Sequence, residues 1–308
     1  MNDELKFQFD INRRRFKKPL RTNHGIWQIR EGIIISLMNQ AGIIGKGEIA
    51  PLPWFGSETM SQAIEFCKQF GKAIAHKDII AIPDTLPCCQ FALESAWLDL
   101  NCDRSDNEIN LVEDLDYCYL LPAGKQALTT WQNIYRAKIA STFKWKIGVY
   151  PLATELKILE QLIDTFPDGI KLRLDANGGL NLQQAKQLLS VTDTLDAIEF
   201  IEQPLPPNNF AELLQLSREY TTPLALDESI ASFTQLQQAY RQGWQGVYII
   251  KAAIMGFPLR LQEFCRDKSL DVVFSSVFET DIGRNAVLKM ARQLDRPRAV
   301  GFGVQHFC

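Results

Sequence analysis

Two observations in the 308-residue sequence predict an α/β protein built as a TIM-like (β/α) barrel with an N-terminal α+β capping domain. From about residue 115 onward, eight short β-like runs recur, most of them separated by longer helical stretches. Before that point strand-like segments come first and helices follow, which is the order of an α+β domain. Repeated βα units call for a parallel sheet, and eight of them for a closed barrel.

The capping domain is read over residues 1–105. Its strands are Leu5–Ile11, Ile26–Met38 and Ile43–Ala50. The turn Asn39-Gln40-Ala41-Gly42 joins the last two as an antiparallel hairpin. Helical patterns follow at about 57–76 and 89–101. The barrel is read over residues 106–290. Its strand candidates are Tyr117–Leu121, Phe143–Ile147, Ile170–Asp175, Ala197–Glu202, Leu224–Asp227, Val247–Lys251, Val272–Ser276 and Val300–Val304. Helices such as Leu152–Phe166 and Leu182–Val191 lie between them. The final stretch, about 291–308, is expected to run back and complete the first domain. A doubly wound open sheet is the structural alternative. It calls for a Gly-rich turn after the first strand, and Leu121-Pro122-Ala123-Gly124 is a poor version of one.

Composition removes several classes of function. Hydrophobic residues make up 46% of the chain and charged residues 22%, so a sizeable core forms without staples. A net charge of −3 supplies no basic field for nucleic acid. The seven cysteines are odd in number and show no CxxC or metal-type spacing, which reads as reduced thiols. The start, MNDELKFQFD, carries early acids and no apolar run, and no apolar run approaches bilayer length. A cytoplasmic, monomeric protein with no membrane partner is expected.

Chemistry shows where polar residues interrupt the strands. Lys146, Asp175, Glu202, Asp227 and Lys251 stand at or near the C-terminal ends of five successive strands, with gaps of 29, 27, 25 and 24 residues. That is the length of one βα unit, and in a barrel such strand ends ring one mouth. Charges on otherwise apolar strands are costly to bury unless they pair or bind a metal. Three carboxylates, Asp175, Glu202 and Asp227, offer the all-oxygen ligation that suits Mg²⁺. Lys144 and Lys146 are two apart and share a face. A lysine crowded by a second cation and partly desolvated accepts a proton near neutral pH. Arg173, Asp175 and Asn177 likewise share a face, and Arg173 is a candidate for holding an anionic substrate group or a carboxylate ligand.

Taken together, Lys-x-Lys on the second strand, LRLDANG on the third, IEQP on the fourth, LDES on the fifth and Lys on the sixth resemble the muconate-lactonising subgroup of the enolase superfamily. The resemblance covers the whole barrel, and the N-terminal segment is similar to that family's capping domain. It implies a Mg²⁺ site, with Mn²⁺ as a substitute ion, held by Asp175, Glu202 and Asp227. It implies Lys146 as acid/base, Lys251 as its counterpart on the opposite face, and Lys144 as the residue that tunes Lys146. The substrate it implies is a small carboxylate whose α-proton is removed, the developing charge being stabilised by the ion and by Lys251.

Within the subgroup the chain most resembles the branch that dehydrates a succinyl-substituted hydroxycyclohexadiene carboxylate in menaquinone and phylloquinone biosynthesis. The seventh strand, Phe274-Ser275-Ser276-Val277-Phe278-Glu279-Thr280, is similar to that branch's Ser-rich stretch, which implies substrate contacts from Ser275 and Ser276. The eighth, Gly301-Phe302-Gly303-Val304, lacks the Asp-x-Asp with which dipeptide epimerases grip an amino group. The nearest enzymatic rival is a racemase of N-acylated amino acids. A rival of another class is a non-catalytic barrel that binds an anionic metabolite, and the complete set of two lysines and three carboxylates speaks against it.

Other signals carry less. Asp175-Ala176-Asn177-Gly178-Gly179 fails as a calcium loop, because its sixth and twelfth positions are Leu180 and Lys186. Gly42, Gly45 and Gly47 are out of order for a dinucleotide fingerprint and read as hairpin geometry. The basic run Arg13–Arg21 reads as a solvated stretch or as a loop closing over a dianionic substrate. The stretches Leu20–Trp27 and Gly47–Gly56 are expected to seal the site. His24, His76 and His306 are isolated.

Overall fold

The computed structural model describes residues 4–22, 25–102, 115–294 and 298–304. The expected domain boundary at 105/106, His24, His306 and Cys308 fall outside these residues.

The first unit is a four-stranded sheet in the order β3-β2-β1-β4, built from β1 (Glu4–Thr22), β2 (Gly25–Met38), β3 (Ile44–Ile49) and β4 (Ala73–Ala75). Helices α1 (Met60–Lys68), α2 (His76–Ile80) and α3 (Pro87–Leu100) complete it. The β2–β3 turn forms as expected, with Asn39 Oδ1 accepting from the amides of Ala41 and Ile43. Gly45 and Gly47 have a stronger reason than the turn. A Cβ on either would stand about 2 Å from the α3 carbonyls of Ala96 and Ala92, so glycine lets the helix lie directly on the strand. Residues Cys88–Ala96 of α3 are buried without interruption. A helix buried all round has no solvent face to show an amphipathic period.

Two elements differ from expectation. The basic run is no loop: β1 continues through it to Thr22, paired with β2 and interrupted by a register shift between Arg15 and Leu20. Its charges alternate with partly or fully buried positions such as Phe16, and Arg13 pairs with Glu31 across the ladder at 2.9 Å. The short strand β4, which pairs with Glu4–Lys6, lies inside the stretch expected to be helical.

The second unit is an eight-stranded parallel sheet. Its strands are β5 (Tyr117–Leu121), β6 (Thr142–Lys146), β7 (Lys171–Asp175), β8 (Ile198–Glu202), β9 (Leu224–Leu226), β10 (Val247–Ile250), β11 (Val272–Phe274) and β12 (Val300–Gly303). Helices α4 (Ala127–Arg136), α5 (Leu152–Asp164), α6 (Leu182–Thr192), α7 (Phe210–Glu219), α8 (Phe233–Arg241), α9 (Pro258–Asp267) and α10 (Asp281–Gln293) follow the successive strands from β5 to β11. The strands neighbour one another in sequence order, β12 lies beside β5, and a parallel bridge from Ser275 to Gly301 closes the ring. The open-sheet alternative is therefore excluded. Residues 300–303 form the eighth strand, as the candidate Val300–Val304 anticipated, and it covers the edges of β5 and β11 that a closed barrel cannot leave open.

Strands covered on both faces read as continuous apolar runs, and Val247–Ile250 is buried at every position. Phe200, Ala225, Val247, Ile249 and Val273 form a small core inside the barrel. The alternate positions, Trp145, Leu172, Leu174 and Ile201 among them, pack outward with the helices in the larger core that also takes in the cap.

Cap and barrel meet through carboxylates seated on helix N-termini. Glu48 of β3 accepts from the amides of Thr280 (2.7 Å) and Gly283 (3.1 Å) and from the Thr280 hydroxyl, at the start of α10. Glu94 of α3 accepts from the Leu259 amide at 2.8 Å, at the start of α9. Each satisfies amides that a helix leaves without partners and sits at the positive end of its dipole. Glu48→Ala is expected to lower the unfolding free energy by about 2–3 kcal/mol, seen as an earlier midpoint in urea. An unchanged midpoint would show that the seam does not depend on this residue.

Candidate active site

The alternation that fills the barrel also builds its mouth. Two residues beyond Phe200 on the same face is Glu202, beyond Ala225 is Asp227, beyond Ile249 is Lys251, and beyond Val273 is Ser275. Lys144 and Lys146 on β6, and Arg173 and Asp175 on β7, follow the same parity. Lys146 is the register partner of Asp175, which in turn is the partner of Glu202.

The structure brings Lys144, Lys146, Asp175, Glu202, Asp227 and Lys251 together. The Lys144 ammonium stands between two carboxylates, 2.8 Å from Asp175 Oδ2 and 2.7 Å from Glu202 Oε1. Lys251 pairs with Asp227 Oδ1 and lies 4.3 Å from the centroid of the Phe55 ring. Lys146 donates to Asn177 Oδ1 at 2.8 Å, and Asn177 Nδ2 donates to Glu228 Oε1 at 3.0 Å.

The electrostatics follow from this packing. Burial works against the Lys144 ammonium, but Asp175 and Glu202 raise its pKa above the ordinary lysine range. Lys144 therefore stays an ammonium ion-paired with both carboxylates. Asp175, although buried, is held below the usual carboxylate range by Lys144 and Lys146. Burial draws Lys251 down to about 7, with Glu202 pulling the other way. Glu228 moves up to about 7 through burial and the charges of Asp175 and Glu202.

Among the described residues no group of three His, Cys, Asp or Glu side chains stands as a ready metal cluster. The lysine ammoniums interleave with the carboxylates and balance their charge. The donor set nonetheless fits a hard divalent ion. It is all oxygen, it comes from three adjacent strands, and a fourth, partly buried carboxylate beside it, Glu228, has an oxygen with no hydrogen-bond partner among the described residues.

Two expected contacts fall elsewhere. Arg173 is 1% exposed and turns toward the N-terminal ends of the strands. Its Nε lies 2.6 Å from Glu199, which also pairs with Arg298, and Arg298 joins Asp271. An arginine one layer below the mouth needs a buried partner, and Glu199 is the one within reach. Ser275 has the inward parity. Ser276 has the opposite parity, and its hydroxyl donates to Glu279 Oε2 at 2.9 Å.

Residues not singled out from sequence hold the site in place. Gln203 of the IEQP motif is fully buried, at φ 40°. Its Oε1 accepts from the amides of Asp227 (3.0 Å) and Ser229 (3.1 Å), and its Nε2 donates to Leu205 O and Ser229 Oγ. The fourth-strand motif thus fixes the backbone of the fifth-strand carboxylate. Buried Glu155 accepts from the amides of Gly148, Val149 and Tyr150, pinning the turn after Lys146. From the cap, Trp27 packs edge-on against Trp54 at 4.9 Å, so the two stretches expected to seal the site meet each other, and the second supplies Phe55 over Lys251.

Known proteins share this architecture. Residues 126–304 match the family described as enolase C-terminal domain-like, and residues 20–100 match the MenC N-terminal domain. The chain is 36% identical to o-succinylbenzoate synthase of Thermosynechococcus vestitus, over 98% of this chain and 94% of that one. It is 25% identical to the enzyme of that name from Bacillus subtilis, over 87% and 76%. The crystal structure of o-succinylbenzoate synthase from Thermosynechococcus elongatus, with Mg in its active site, superposes with a TM-score of 0.91 at 36% identity over 98% of this chain and 94% of that one. The L-Ala-D/L-Glu epimerase of Bacillus subtilis superposes with a TM-score of 0.81 at 19% identity, covering 100% and 91%, and shares the fold. A capped eight-stranded barrel with lysines and carboxylates at one mouth, matched along nearly its whole length, places the chain in the enolase superfamily, in the o-succinylbenzoate synthase family.

Proposed function

We propose that the chain is a Mg²⁺-dependent carbon–oxygen lyase. It dehydrates 2-succinyl-6-hydroxy-2,4-cyclohexadiene-1-carboxylate to 2-succinylbenzoate in menaquinone or phylloquinone biosynthesis. The observation that carries the reading is the gathering at one barrel mouth of Lys146, register partner of Asp175, with Lys144 and Lys251 ion-paired to Asp175, Glu202 and Asp227. Asp175, Glu202 and Asp227 would hold Mg²⁺, or Mn²⁺ in its place. When bound, the ion supplies Lewis-acid charge to the substrate carboxylate and makes the α-proton more acidic.

The remaining steps belong to side chains. Lys146, oriented by Asn177, removes the α-proton. Lys251 faces the charge that develops on the carboxylate. Lys146 then returns its proton to the hydroxyl, which leaves as water while the ring becomes aromatic. Phe55 of the cap stands over Lys251 at this mouth, an apolar face beside the reacting groups. The protein is read as a cytoplasmic monomer. No helix among the described residues is long and apolar enough to cross a membrane, and no nucleic-acid partner is proposed.

The test is a direct assay of the purified protein on this hydroxy-acid. Aromatic product is expected to form with Mg²⁺, to stop on chelation with EDTA and to resume when Mg²⁺ is restored. Undiminished turnover in EDTA-treated protein would remove the metal from the mechanism, and absence of turnover under all three conditions would remove the substrate.

A further inference from the structure

The segment after β11, residues 275–280, reaches the mouth beside Lys251: the Ser275 amide donates to Ile250 O at 2.9 Å. The backbone here is strained. Phe278 has φ 60°, a left-handed conformation that is rare for a bulky side chain and persists only where its surroundings over-determine it.

Five contacts do so. Glu279 Oε2 accepts from the Ser276 hydroxyl (2.9 Å) and the Val277 amide (2.7 Å). Ser276 Oγ accepts in turn from the Phe278 amide at 2.9 Å. From the cap, Arg30 Nε donates to Val277 O at 3.0 Å, and Arg14 donates to Phe278 O at 2.9 Å. The hydroxyl proton of Ser276 and the amides of Val277 and Phe278 are thus all committed within the protein. The Ser276 amide goes to Gly301 O. Ser275 keeps the inward parity, and its Oγ would be 3.0 Å from a Cβ on Gly301, so the glycine leaves it room.

We propose that Glu279 is a positioning residue: together with Ser276 it forms a bracket behind the mouth that sets the strained turn, so that Ser275 rather than Ser276 presents a hydroxyl to the anionic end of the substrate. Ser276, expected from resemblance to touch substrate, acts through this bracket. Among the described residues, the buried Oε1 of Glu279 and Nη2 of Arg30 have no hydrogen-bond partner. The bracket therefore lies in the seam between cap and barrel, and the two arginines tie its geometry to the docking of the cap. This inference rests on the proposed dehydration for its kinetic arm only.

The experiment compares wild type with Glu279→Ala, Glu279→Gln, Ser276→Ala, Ser275→Ala and the Ser276→Ala/Glu279→Ala double variant. Hydrogen exchange on residues 277–278, read without substrate, should accelerate in Glu279→Ala and stay near wild type in Glu279→Gln, which keeps an acceptor. In steady-state kinetics Glu279→Ala, Ser276→Ala and Ser275→Ala should each raise KM about tenfold with kcat changed far less. The double variant should be no worse than either of its parents, because one bracket is broken once. Additive losses in the double variant would overturn the proposal, since Ser276 would then act on substrate independently of Glu279. Wild-type KM in Glu279→Ala, or wild-type exchange at 277–278, would also overturn it. If wild type itself fails to turn over, the proposed function falls, and the exchange data still decide the bracket.

Discussion

Lys146→Arg is expected to abolish dehydration, while Lys251→Arg retains a measurable part of it. The two lysines differ in their contacts. Lys146 is the register partner of Asp175 and is oriented by a neutral acceptor, Asn177 Oδ1, which leaves its nitrogen available for proton transfer. Lys251 is paired with Asp227 and stands over the Phe55 face, two features that favour a cation. Burial pulls Lys251 the other way, toward about 7, with the charge of Glu202 opposing it. Arginine keeps a cation and loses a usable base. If proton and hydroxyl leave from one face, a single acid/base suffices. The Lys146 variant should then fall by at least about 10³ in kcat, the range of general acid–base catalysis. The measurement is product formation in D₂O, with folding checked by circular dichroism and ion binding by calorimetry. Equal and complete loss in both arginine variants, with fold and ion binding intact, would favour a two-base racemase instead.

The sequence makes the barrel legible to within a residue or two per strand for a physical reason. Strands covered on both faces are unbroken apolar runs, and each run stops where a charge must face the mouth. Lys146, Asp175, Glu202, Asp227 and Lys251 mark five such stops. Parity was also available from the chain. Val273 and Ser275 share a face and Ser276 does not, which already separates the two serines. Parity alone misplaces Arg173, because facing inward does not say which end of the barrel a long side chain seeks. Glu199, on the neighbouring strand, decides that. The basic stretch of β1 looks like a loop because a strand with one open face can carry many charges. The clamps that hold the site are the least legible. Glu48 reaches Thr280 across 232 positions and Arg30 reaches Val277 across 247, and neither end carries a local pattern pointing to the other. Gln203 is closer to readable, since it sits inside a motif, but its work is done on the backbone of the next strand's carboxylate.

Glu202→Gln is expected to remove turnover while leaving the fold. Glu202 is 1% exposed at the end of β8, so an isosteric amide fits without a cavity. The change removes one negative charge from a group in which Lys144 is shared between Glu202 and Asp175. Lys144 is then left with Asp175 as its one ionic partner of the two, and it competes more strongly for that carboxylate. A divalent ion loses a charged oxygen and meets a more tightly held Asp175 at the same time. Altering an outer contact of a metal site costs about 10–100-fold in affinity, and a direct ligand should exceed that range. Calorimetric titration of Mg²⁺ should therefore show binding weakened by more than about 100-fold, with turnover lost in parallel. The Mg²⁺-induced rise in melting temperature expected of wild type should shrink in the variant, a readout that needs no substrate. Asp227→Asn should weaken the ion as well, but through a different neighbour: it removes a charged oxygen and breaks the ion pair with Lys251. Retention of wild-type Mg²⁺ affinity in Glu202→Gln would place the ion elsewhere and leave Lys144, Asp175 and Glu202 as a buried ion-pair network.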